Sequence, residues 1–444
     1  MKSLLRYFIV PCILGSSSFA VADVPVKAIR FDDIKPVTAR FSMNFGGVGL
    51  DPQQRVYATL CGTQGDPDCH LVRWNPISGE KEYLGSLGAA AKRDGNLGPN
   101  KFWPKKESIV KGHTHVWYLD GKMWVGTMNA HDYRDMSVIR GGHLMAYDLA
   151  TKVITDHSQW QPQGVFKSRG GYYAIPVYPQ KNVIVGIGVP NSTGCELVVY
   201  NPRTRETKRV PGVSSSNDNG QLAGRDAAVL PDGRVLYQCG PANTAFGMYN
   251  ISTGENKATS FHTQYVLTTG VQVTRDGKKA YASDLRNIYE FNLLSGTQKT
   301  LTTIDPSGQV RQSSAVALSA NEKNLYYVIN QSTADGGAWI DDLYEYNIET
   351  GTRSKLMNLK PFIGEAKVSG SHSTASNGKI YFAFQSHGNS GILELDASGR
   401  TVPVRQAPNS CRGGRGRELT LEAQKNAGPK GPASPTGRLH VWET

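Results

Sequence analysis

One short run, Gly112-His113-Thr114-His115, decides which chemistry is worth considering. Two imidazoles in alternation along an extended segment face one side. Imidazole is the side chain that takes and returns a proton near neutrality without special help. His131 follows in Asn129-Ala130-His131-Asp132-Tyr133, a polar stretch that reads as a loop. Tyr172 and Tyr173 come after Arg169-Gly170-Gly171, and Arg225 stands in Gly224-Arg225-Asp226. Imidazoles, phenols and a guanidinium suit removal of a carbon-bound proton beside a carboxylate. That reaction needs a base, an acid for the leaving oxygen, and a cation on the carboxylate. Arginine suits the last role because its planar fork grips a carboxylate through two hydrogen bonds. Other templates fit poorly: the chain has no GxSxG elbow, no P-loop and no HExxH. Gly186-Ile187-Gly188 is only a fragment of a dinucleotide fingerprint, set in a strand.

The elements that must position these residues are announced by a repeat. An aromatic residue or Leu is followed by Asn or Asp and then by a short polar turn, often ending in Gly. The copies begin at Trp74-Asn75, Tyr147-Asp148, Tyr200-Asn201, Tyr249-Asn250, Phe291-Asn292, Tyr346-Asn347 and Leu395-Asp396. Successive Asn/Asp positions lie 73, 53, 49, 42, 55 and 49 residues apart, the length of one four-stranded propeller blade. Each copy reads as a hairpin with an Asx-type turn. A second hairpin precedes it, turning at Asp120-Gly121, Asp232-Gly233, Asp276-Gly277 and Asn377-Gly378 in the clearest cases. The pattern predicts an all-β, seven-bladed β-propeller of four-stranded antiparallel blades. The expected blades are 45–86, 107–160, 166–213, 220–262, 264–304, 309–360 and 366–406, within a domain of residues 23–407. A strand around Ile29 to Phe31 is expected to complete an edge and close the ring. No amphipathic helix of useful length is expected. The Gly-, Pro- and Arg/Lys-rich tail 408–444 reads as loop-like, with Leu439 to Trp442 as a segment that docks.

The inner hairpin turn serves as a ruler. His113 lies seven residues before Asp120, and Arg225 seven before Asp232. Tyr172 or Tyr173 takes the matching place in blade 3. His372 lies five residues before Asn377, as His115 does before Asp120. Neighbouring blades are thus expected to present His, Tyr and Arg where their innermost strands begin. His131 and Tyr133 belong to a loop at the same face. The candidate catalytic residues are His113, His115, His131, Tyr172 and Tyr173; the candidate substrate-binding residues are Arg225, Tyr133 and His372. His143 and His157 read as structural.

Residues 1–22 have the form of a secretory signal: Lys2 and Arg6, an apolar stretch from Leu4 to Leu14, and Ala20-Val21-Ala22 before Asp23. Export with cleavage is expected, to the periplasm or the extracellular medium, with no membrane association afterwards. The formal net charge is +12, and the pI of about 9.3 favours polyanionic partners. For an exported chain these are anionic polysaccharides rather than nucleic acid. Cys12 leaves with the signal, and Cys61, Cys69, Cys195, Cys239 and Cys411 remain, an odd set. Cys61 and Cys69 bracket a Gly/Asp/Pro loop and are expected to be capable of a local disulfide. A monomer is expected.

The Gly-His-Thr-His run at 112–115, His131, His143, the Tyr-bearing strand from Tyr172, and Arg225 together resemble the ulvan lyases. These are secreted seven-bladed polysaccharide lyases of marine bacteria. The resemblance implies β-elimination on a sulfated rhamnose–uronic acid polymer, with His and Tyr as base and acid and Arg on the uronate. It leaves the base among His113, His115 and His131, and the tyrosine among Tyr172, Tyr173 and Tyr178. It also implies a structural Zn or Ca ion away from the chemistry, with no cofactor required for the reaction itself. Cys195, Cys239, Cys411 and a histidine such as His262 are candidate ligands. The rival readings are a non-catalytic glycan- or protein-binding propeller and, third, a lactonase-like hydrolase with an axial metal among carboxylates.

Overall fold

The computed structural model describes residues 24–34, 47–63, 66–97, 109, 111–128, 142–158, 171–188, 196–210, 227–238, 245–264, 269–284, 286–304, 312–332, 339–385 and 390–399. A first compact unit spans Met1–Ala397, and Ser398–Thr444 forms a second. The signal segment 1–22 and the tail from residue 400 lie outside the described residues.

The first unit is an all-β, seven-bladed propeller of antiparallel blades. Blade 1 runs Val48–Leu50, Val56–Thr63, Asp66–Trp74, Lys81–Ser86 from axis to rim. Blades 2 to 6 repeat that order. Blade 7 takes three strands from Lys367–Thr374, Lys379–Gln385 and Gly391–Asp396. Its outermost strand is Val26–Arg30 from the N-terminus, paired as Val26↔Leu395 to Arg30↔Gly391. The ring is therefore closed by the N-terminal strand, as its sequence suggests.

The repeated phrase has a common geometry. The side-chain oxygens of Asn75, Asp148, Asn201, Asn250 and Asn292 each accept the backbone N–H groups two and three residues on. Asn347 accepts from Thr350. Each main-chain carbonyl in turn accepts from the residue four on, which has φ between 59° and 76°. Glycine fills that place in four of the six turns because a side chain is strained there. Lys152 and Arg205 tolerate it in the others.

The core lies between blades. Alternation sends successive residues of one strand to opposite neighbours. Val235 and Tyr237 pack against blade 3, while Leu236 between them packs against blade 5. Likewise Leu325 and Tyr327 face blade 5, and Tyr326 and Val328 face blade 7. Each such aliphatic side chain contributes about 1.5–3 kcal/mol on burial, so each blade is held from both sides.

The chain also forms a short helix, Leu87–Arg93, which the strand pattern does not reveal. Ser86 caps it by accepting from the Ala89 amide at 2.8 Å. Leu87, Ala90 and Ala91 seat it in the space between blades 1 and 2. Among the described residues no helix is long and apolar enough to cross a membrane.

Candidate functional site

The innermost strand of blade 2 is broken where the two histidines lie. Lys111–Gly112 and Trp117–Leu119 pair with Lys122–Met128, while His113 to Val116 leave the regular ladder. The Thr114 hydroxyl stands in for the missing backbone acceptor and takes the Gly126 N–H at 2.9 Å. Innermost strands of other blades are irregular too. Register shifts fall at Tyr172/Ala174, Thr269/Gln272, Ser313/Val316 and Val368/His372. Such bulges bend a strand and re-aim its side chains. Here they recur around the axis.

His115 and His372, matched by the sequence ruler, meet. His115 Nδ1 lies 2.9 Å from the His372 carbonyl oxygen, and the two rings stand edge to face with centroids 5.1 Å apart. Blade 1 lies between their blades in the ring. Val48 and Leu50 of its inner strand pack in the core, while Gly47 and Gly49 leave the side toward blade 2 without side chains. A Cβ on Gly49 would fall 1.7 Å from the Val116 carbonyl oxygen, and one on Gly47 would fall 1.9 Å from Thr59 Oγ1. The Val116 amide bonds to the Val48 carbonyl beside Gly49 at 3.1 Å. His372 is only 4% exposed. A Cβ on Gly270 of blade 5 would lie 2.7 Å from its Cε1, and Gly270 has φ +61°. Only glycine meets both conditions.

His113 makes the equivalent bond on the other side, with Nδ1 3.2 Å from the Tyr172 carbonyl oxygen of blade 3. A carbonyl oxygen only accepts, so Nδ1 of both rings carries the proton. In the neutral rings the basic nitrogen of His113 and of His115 is therefore Nε2. Both residues are half-buried. A ring with a set tautomer and a set plane can abstract a proton without first reorganising.

Tyr172 is 1% exposed. Its side chain fills the space left by Gly126 and Gly186, where added Cβ atoms would sit 2.7 Å from Tyr172 Cβ and 2.8 Å from its Cε1. The Gly186 of the fragmentary fingerprint thus has a packing reason. Burial first, and the Glu196 charge second, push the Tyr172 phenol far above its ordinary range. Tyr173 follows in the same strand, and its side chain lies outside the description, as do His131, Tyr133 and Arg225. Tyr178 lies at the other end of the inner hairpin, against the Gly233 turn.

Two polar clusters are not legible in the sequence. His143 Nδ1 meets Asp156 Oδ2 at 2.6 Å, with neither side chain exposed. Asp156 also accepts from the Ser158 amide at 2.9 Å, and Ser158 Oγ accepts from the Leu144 amide. His157, just past the outer strand Ile154–Asp156, points the other way. Its Nδ1 lies 2.9 Å from the Tyr200 hydroxyl and its ring 4.6 Å from that of Trp124. Burial, then the nearby Arg205, hold its pKa down at about 4.

His262 is exposed at the end of a blade 4 strand. Cys195, Cys239 and Cys411 lie outside the described residues. Among the described residues no group of three or more His, Cys, Asp or Glu side chains is arranged to hold a metal ion.

The fold and the arrangement around its axis define the class: a seven-bladed β-propeller. No family model matches the chain. No curated protein matches it either. Among solved structures, a chain of the "Crystal Structure of Mitotic Checkpoint Complex" superposes with a TM-score of 0.52 at 11% identity, covering 88% of this chain and 98% of that one. A chain of Kuenenia stuttgartiensis hydrazine synthase gives 0.42 at 12% identity, covering 60% and 74%. The first likeness shows the fold alone.

Proposed function

We propose that this propeller is a lyase that cleaves an anionic, uronic-acid-containing polysaccharide by β-elimination, in the manner of the ulvan lyases. The observation that carries the reading is the pair His113 and His115. Each presents Nε2 as its basic atom from an irregular inner strand, with the ring plane set by a carbonyl of another blade. In the proposed step one of these nitrogens takes the proton from C5 of the uronate. The C5–H electron pair becomes the C4=C5 double bond, the C4–O4 bond breaks, and O4 receives a proton from an acid. Arg225 neutralises the carboxylate, which makes the C5 proton acidic enough to leave.

Tyr172 is buried between two glycines, so the reading assigns the acid to Tyr173 and leaves Tyr172 to packing. His372 supports His115 and contributes to substrate contact only at its edge. Tyr133 and His131 flank the substrate from the loop that carries them. A structural Zn or Ca ion remains part of the reading, and no step passes through it. Secretion after removal of residues 1–22 would bring the chain to such a polymer.

The test is to mix the mature protein with ulvan, pectin and glycosaminoglycans and follow the ultraviolet absorbance of the conjugated unsaturated uronate. A rise on at least one polymer is expected. A flat trace on all of them rejects the lyase. The formal charge of +12 favours a second reading, a non-catalytic propeller that binds polyanions. That protein would be retained on a polyanion column and leave polymer length unchanged.

A further inference from the structure

Cys61 and Cys69 stand directly opposite each other across two strands of blade 1, and both are buried. The sequence suggests a disulfide here; the structure holds the pair as two thiols, with no bond between the sulfurs. Cys69 has a second role. Its sulfur accepts the Gly112 N–H of blade 2 at 3.1 Å. Thr59, on the same face of blade 1, holds the following peptide group, donating its Oγ1 hydroxyl to the Gly112 oxygen at 3.4 Å. A Cβ on Gly112 would fall 2.5 Å from Thr59 Oγ1, so the strand is seated against blade 1 with no slack. The next residue is His113.

We propose that Cys61 and Cys69 are a redox-sensitive pair whose closure into a disulfide draws the Cys69 sulfur away from the Gly112 amide and re-aims His113. Bonding to Cys61 brings the sulfurs from contact distance to about 2.05 Å. The Gly112 N–H loses its short sulfur acceptor and must shift or find another, since an unpaired buried amide is costly. The oxidant is a low-molecular-weight disulfide. One protein thiolate attacks it and releases one small thiol. The second protein thiolate displaces the other small thiol from the mixed disulfide. Two protein thiols become one S–S bond, and the small disulfide takes up both hydrogens. Burial keeps the Cys69 thiol protonated and slow to exchange once folded. Closure is therefore fastest while the chain folds, and the folded protein follows the redox poise of its surroundings slowly.

The experiment refolds the mature chain in oxidised and reduced glutathione, maps cross-linked peptides, and records the His113 and His115 imidazole resonances before and after a phosphine reductant. The expected result is a Cys61–Cys69 cross-link in oxidising buffer, with a His113 resonance that moves on oxidation and returns on reduction. In Cys61→Ser the same oxidant should leave His113 unmoved. The proposal is overturned if the pair stays reduced while other cysteines oxidise, or if either partner bonds elsewhere. It is equally overturned if the bond forms and His113 does not respond. The reversible wild-type comparison needs no variant to fold. No polysaccharide is involved, so failure here is distinct from failure of the lyase reading.

Discussion

His115 of blade 2 donates its Nδ1–H to the main-chain oxygen of His372 in blade 7 at 2.9 Å, reaching past blade 1. The acceptor is backbone, so no single substitution at His372 removes the bond. What can be changed is the ring that depends on it. His115→Asn places an amide N–H2 near the position of Nδ1, preserving the donor while deleting Nε2. His113→Asn does the same opposite Tyr172. Under the lyase reading, the one that serves as base should lose about 10²–10⁴-fold in elimination rate, with its melting temperature nearly unchanged. Wild-type rates in both variants would sink the assignment.

Gly49→Ala tests the approach of blades 2 and 7. The new methyl would meet a backbone oxygen, which cannot rotate away as a side chain can. Denaturant unfolding should show a loss of about 1–3 kcal/mol, the usual cost of overpacking. The coupling between the His115 and His372 rings should weaken with it, visible as altered imidazole resonances. An unperturbed Gly49→Ala would mean that blade 1 yields easily and does not govern this contact.

His157 makes the protein sensitive to acid. Its pKa is about 4 when folded, against an ordinary 6.5. The unfolded chain therefore binds this proton at higher pH than the native one. Its contribution is fully present above pH 6.5 and is lost as pH falls through that range towards 4. Replacing it by Phe, which suits the Trp124 and Tyr200 surfaces, should flatten that part of the stability profile. Unchanged acid sensitivity in His157→Phe would assign the effect to other groups.

Asp341 acts in the opposite direction. It is 1% exposed, accepts from Asn330 Nδ2 at 2.7 Å and from the Val368 amide, and so ties blade 6 to the innermost strand of blade 7. Burial outweighs these bonds and raises its pKa to about 7 from an ordinary 3.8. The native state holds this proton longer than the unfolded one, so stability falls as pH rises from about 4 to 7. Asp341→Asn keeps the shape and removes the charge. Above pH 7 the variant should unfold at equal or higher denaturant concentration than wild type, and its dependence on pH should be shallower. Marked destabilisation of Asp341→Asn at pH 8 would show that the charge is needed.

What the sequence discloses is what short-range chemistry requires. The Asn75, Asn250 and Asn292 turns need a side-chain acceptor and a residue tolerant of positive φ, and both requirements are visible as residue types. The separate ruler of inner hairpin turns matches His115 with His372 in position, and the structure brings the two into contact. Long-range choices are hidden. Whether Tyr172 faces the channel or a neighbouring blade depends on Gly126 and Gly186, one on the preceding blade and one on the next strand. The break between Gly112 and Trp117 is concealed because the Thr114 hydroxyl does a backbone atom's work. His143 and Asp156 give no sign of each other, being brought together only when their strands and loops assemble. The helix at Leu87–Arg93 is too short for its periodicity to stand out.

The pairing of Val26–Arg30 with Gly391–Asp396 has a kinetic side. The first strand to be made waits for nearly the last before it has a partner. Until then its amide edge is open, and an open edge recruits any extended segment it meets. The entropy of closing so long a loop grows only slowly with length. Delay, rather than thermodynamic cost, is therefore the exposure this architecture creates. Blades 1 to 6 can stack in sequence as they appear, each needing only its neighbour. Blade 7 alone requires both ends of the propeller at once, which makes the final docking of Val26–Arg30 the step at which assembly either locks or goes astray.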